Sequence, residues 1–86
     1  MEIKVIVNIY DGAGKVILTM HNQEDIIIEE SGEYEIYLDP GDHNVMVYGR
    51  PPEGGLLEVL FLQDGVVLGA HTYRNPRSIY FTLEVI

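Results

Sequence analysis

The chain contains no cysteine and no tryptophan. Without thiols, disulfide frameworks, zinc–thiolate centres and cysteine nucleophiles are excluded. Bases are also scarce, with five Lys and Arg against fourteen Asp and Glu, for a formal charge of −9. That balance opposes phosphate binding, so nucleic acid and anionic membrane surfaces are not expected partners. It suits a soluble β-rich surface, a cation or a basic partner. Long apolar runs are missing too: none approaches the ~20 residues that span a bilayer, so membrane insertion is not expected. The opening Met1-Glu2-Ile3-Lys4 does not read as a signal peptide. The compartment stays open, with an extracellular site expected if this segment belongs to an exported protein.

What is present is β-forming sequence. At 86 residues the chain has room for one hydrophobic core, so residues 1–86 are read as a single domain. Its 47% apolar content is led by Ile, Val, Leu and Tyr, which favour strands. Ile3, Val5, Val7 and Ile9 alternate with Lys4 and Asn8, the pattern of a half-buried strand. "DGAGK" follows and reads as a hairpin turn, then "VILTM" as a second strand. "IIIEE" is a short β-branched run closed by Ser31 and Gly32. Tyr34, Ile36 and Leu38 share one face of the next strand, and His43, Val45 and Val47 share one face of the strand after it. "GRPPEGG" reads as a breaker-rich loop, and "LLEVLFLQ" as a strand buried on both faces. Asp64 and Gly65 mark a hairpin into "VVLGAHTY", and Ile79, Phe81, Leu83 and Val85 line the inner face of a last strand. Seven or eight short strands with no helix pattern predict an all-β fold. The expected form is a single antiparallel β-sandwich, with a small β-barrel as the alternative.

The segment "GEYEIYLDPGDHNVMVYG", Gly32 to Gly49, resembles a pattern of prealbumin-like and carboxypeptidase-regulatory-like bacterial β-sandwiches. Similar segments occur in fibronectin type III and other immunoglobulin-like modules, and in PEGA domains. The resemblance implies a non-catalytic spacer, adhesive or accessory module, often within larger exported proteins. The aromatic residue usual two positions after the glycine is His43 here. Pro40, Gly41 and His43 are read as structural, either in a simple hairpin with Leu38 facing His43, or in a corner between sheets where the imidazole hydrogen-bonds a loop carbonyl.

Candidate chemistry is sparse. His21, His43 and His71 stand at no metal-ligand spacing and in no Ser/His/Asp pattern. No enzyme is expected, a hydrolase using His71 or His43 being the most remote reading. Alternation of chain direction gathers Arg50, Arg74 and Arg77 at one end, and Glu24, Asp25, Asp39, Asp42 and Asp64 at the other. Those two ends could stack on neighbouring domains, or Asp25, Asp39, Asp42 and Asp64 could hold Ca²⁺. No cofactor is otherwise expected. Tyr10, Tyr37, Tyr48 and Tyr80 fall on the outward parity, where tyrosines anchor interfaces or stack on sugars. Ile6, Leu60 and Leu62 add apolar surface on that parity. The reading is a non-enzymatic structural or protein-interaction module, of a larger surface protein, a phage particle or a homo-oligomer. The alternative is a carbohydrate-binding module, with or without the assistance of Ca²⁺.

Overall fold

A computed structural model describes residues 1–86. Eight strands follow in order: β1 (Glu2–Tyr10), β2 (Lys15–Met20), β3 (Ile26–Ile28), β4 (Gly32–Tyr37), β5 (Gly41–Arg50), β6 (Leu56–Gln63), β7 (Val66–Tyr73) and β8 (Arg77–Val85). They form two four-stranded sheets, ordered β4-β1-β6-β7 (sheet A) and β3-β2-β5-β8 (sheet B). Every pairing is antiparallel, and neither sheet closes on itself, so the fold is a β-sandwich rather than a barrel.

Period-2 alternation builds the interior. Ile3, Val5, Val7, Leu57, Val59 and Phe61 from sheet A meet Val16, Leu18, Val45, Val47 and Leu83 from sheet B, all buried. Removing such side chains from water is the main favourable term, about 1.5–3 kcal/mol for each fully buried aliphatic residue. β6 alternates buried and half-buried residues, so it has one core face and not two. The outward Leu60 and Leu62 therefore belong to the surface of sheet A.

Two connections differ from the sequence expectation. β1 and β2 lie in different sheets, so "DGAGK" is a crossing and not a hairpin turn. Nothing in its composition separates the two, because both need tight, glycine-tolerant backbone; Asp11 itself adopts a φ of 66°. β5 also runs further than expected, through Gly49 and Arg50 of the supposed loop. Its extension has a cause in the core. The Tyr73 ring of β7 lies across Gly49, where an added Cβ would sit 2.6 Å from the ring. The Tyr73 hydroxyl donates to the Val47 carbonyl at 3.0 Å, tying sheet A to sheet B. Glycine at that point is space for an aromatic ring and not a strand breaker.

At the opposite end, the chain leaves β4 in sheet A and enters β5 in sheet B. Pro40 and Gly41 lie at this corner, with φ of 123° at Gly41. His43 Nε2 lies 2.7 Å from the Asp39 carbonyl, which can only accept, so Nε2 carries the proton and donates. Nearby, Gln63 is buried and closes the sandwich: its Nε2 donates to the Ile86 carbonyl at 2.7 Å and its Oε1 accepts from the Ile86 amide at 2.8 Å.

Candidate functional site

The alternation that fills the core also decides what each sheet shows to solvent. On sheet A the outer face carries polar groups bonded to one another on β1, β4 and β6, beside an apolar strip that ends at the exposed Val66 and Val67 of β7. Tyr10 donates to Glu58 at 2.9 Å and Tyr37 to Glu35 at 3.3 Å. The bond to Glu58 and that carboxylate's charge raise the Tyr10 pKa, and the Glu35 charge does the same for Tyr37. Lys4 pairs with Glu33 at 3.6 Å. Ile6, Leu60 and Leu62 lie half-buried beside these groups, with Ile6 opposite Glu33 and Leu62 opposite Lys4.

Sheet B differs. Its outer face carries Ile27, Ile17, Tyr48 and Ser78 in one cross-strand row, and Thr19, Met46 and Tyr80 in the next. Ile27 is 56% exposed and Tyr80 76%, while Ile17, Met46 and Tyr48 are half-buried. Four of the chain's six tyrosines bond their hydroxyls inside the molecule: Tyr10, Tyr34, Tyr37 and Tyr73. Tyr48 and Tyr80 are the two that do not. Tyr48 stands opposite Ser78, two residues from Tyr80, so the two rings are diagonal neighbours within reach of one another. An open groove of about 520 Å³ runs past Thr19, Met46 and Tyr80 towards Asn44 and Thr82.

This face is graded in charge along its strands. Lys15 opposite Arg50 lies at the end near the β5–β6 loop, and Asp42 opposite Glu84 at the other. The apolar and aromatic rows lie between them. The four outward tyrosines thus separate into two that are committed within sheet A and two that are free on sheet B.

The acidic loops are less organised than their composition suggests. Asp25, Asp39, Asp42 and Asp64 do lie at the same end of the sandwich, on the β2–β3, β4–β5 and β6–β7 connections and the start of β5. No three carboxylate or imidazole groups of the chain are placed to share a metal ion, however. The opposite end holds Arg50, Arg74 and Arg77, but also Asp11, Glu29, Glu30 and Glu53. The contrast is therefore between a mixed end and an acidic one.

His71 is the one buried polar side chain without a partner: its Nε2 is enclosed and unbonded. The ring packs edge-on against Phe81 at 4.6 Å and Phe61 at 6.2 Å between centroids. Burial first, and the nearby Arg77 charge second, lower its pKa, so the ring is neutral at pH 7. Neither a carboxylate nor a hydroxyl hydrogen-bonds it, and His43 is occupied by its corner carbonyl. Neither histidine has the base–nucleophile geometry of a hydrolytic site.

Sequence reasoning missed Tyr73 and Gln63, which carry the cross-sheet bonds. The parity shared by Tyr73 and His71 was a usable signal, since both fall on the inward side of β7. Comparison with protein-family models, curated proteins and solved structures finds no match.

Proposed function

We propose that this domain is a non-enzymatic protein-interaction module whose contact surface is the outer face of sheet B. The observation that carries this reading is the pair Tyr48 and Tyr80. They are the only tyrosines with hydroxyls unbonded within the chain, and they lie together among Ile17, Ile27 and Met46. Aromatic side chains beside aliphatic ones, ringed by charge, are the composition of interface centres. Sheet A supports the choice by contrast, because its tyrosines already have carboxylate partners.

The two-sheet architecture is compatible with the β-sandwich accessory modules that the sequence of Gly32 to Gly49 resembles. β1 lies between β4 and β6 rather than beside β2. That order weighs against the immunoglobulin constant type, whose first strand shares a sheet with its second.

A photo-crosslinking residue placed at Tyr80, in the cells that make the protein, tests the assignment against the same residue at Glu35. Protein adducts from position 80 and none from position 35 are expected. Equal labelling at both positions, or none at either, contradicts it. Carbohydrate binding is the second reading, favoured by the adjacent free rings of Tyr48 and Tyr80. It requires glycan-array hits that vanish in Tyr80→Ala.

A further inference from the structure

The charge gradient on sheet B names a partner. The row of Lys15 and Arg50, with Glu29 at its β3 edge, and the acidic row, Asp42 and Glu84, lie at opposite ends of one face, with the apolar rows between. Such a face is complementary to itself. A two-fold axis between two copies, running across the strands, turns one copy end for end over the other. The apolar rows then meet, Tyr80 near Tyr80, and the Lys15–Arg50 row of each copy reaches over the Asp42–Glu84 row of its mate. We infer that the occupant of this surface is a second copy of the chain, in an isologous, sheet-to-sheet dimer. The inference rests on the interaction reading above and deepens it.

The distances permit it. From Arg50 to Asp42 the strand covers roughly 27 Å at the usual rise per residue, and four strands span about 19 Å. The footprint is then on the order of 500 Å² per copy, or ~1,000 Å² in all, at the lower edge of specific interfaces. An interface of that size belongs with weak, transient associations. The net charge of −9 opposes association at long range, so the local pairing of opposite rows is what selects this face and this orientation.

Reversing one row at a time gives the test. The first variant carries Lys15→Glu and Arg50→Glu, which makes both ends of the face acidic. The second carries Asp42→Lys and Glu84→Lys, which makes both ends basic. Sedimentation equilibrium, with circular dichroism melts to verify that each variant is folded, is expected to show a concentration-dependent dimer for the parent. Each variant alone is expected to be monomeric, with dimerisation weakened at least tenfold. An equimolar mixture of the two is expected to restore a heterodimer, because acidic rows then face basic ones. If either variant fails to fold, Tyr80→Ser replaces it, with the same tenfold loss expected. A parent that stays monomeric to millimolar concentration overturns the inference, as do variants that dimerise like the parent. In the monomeric case, crosslinking from Tyr80 to a different protein would leave the broader interaction reading standing. Absence of both would remove the two together.

Discussion

Tyr73, His71 and His43 show how single side chains hold this sandwich together. Tyr73 is fully buried, and burial pushes its hydroxyl pKa up to about 12, so it remains a donor to Val47 at any ordinary pH. Tyr73→Phe keeps the ring over Gly49 and removes only that bond. It is expected to cost about 1–2 kcal/mol in urea denaturation, for one buried carbonyl left with less than its full bonding. Gly49→Ala is expected to cost more, about 2–3 kcal/mol, because the new methyl meets the ring itself. His43→Ala removes the corner bond to Asp39 and is expected to cost roughly 1–3 kcal/mol. His71 gives a pH dependence of definite sign. Its folded pKa lies below its unfolded value near 6.5, so between the two the unfolded chain binds the extra proton. Stability then rises with pH across that window and falls on acidification below about 6.5. Denaturation midpoints measured from neutral pH downward are expected to fall more steeply for the parent than for His71→Leu. Equal slopes would mean that His71 is not the group responsible.

At the scale of strands and turns, much was legible because alternation is a direct record of which face is buried. Val5 and Val7, or Val45 and Val47, announce an inner face without any knowledge of the partner sheet. The β6–β7 turn was equally open to reading: Asp64 and Gly65 both adopt positive φ, 49° and 80°, as a two-residue hairpin requires. Gly65→Ala is expected to cost about 1 kcal/mol, read as a fall in melting temperature, with no change in the β6–β7 register. What alternation cannot record is whether a turn returns the chain to its own sheet or passes it to the other. "DGAGK" and the Asp39–Asp42 corner cross between sheets, while Asp64 and Gly65 do not, and all three use the same turn residues. The reach of β5 through Gly49 was hidden for a related reason. A glycine before Arg-Pro-Pro has the composition of a loop, and only the Tyr73 ring from a distant strand makes it part of a sheet. The candidate site was legible to the same degree. Parity put Tyr10, Tyr37, Tyr48 and Tyr80 outside, but which carboxylates would engage them depended on register. Glu58 reaches Tyr10 only because β1 pairs with β6.

For the molecule as a whole, the two outer faces of one sandwich differ in chemistry. Sheet A presents charges and tyrosines bonded to one another beside an aliphatic strip, and sheet B presents free tyrosines between the Lys15–Arg50 row and the Asp42–Glu84 row. As proposed above, sheet B is the face where this domain meets its partner, and a second copy fills the role. Backbone amide chemical shifts, followed by NMR as the protein is diluted from the millimolar to the low micromolar range, test that claim most directly. Shifts confined to the rows of Ile17, Met46, Tyr48 and Tyr80, with β1 and β4 silent, are the predicted result. Shifts centred on sheet A, or a spectrum that does not change with concentration, would contradict it.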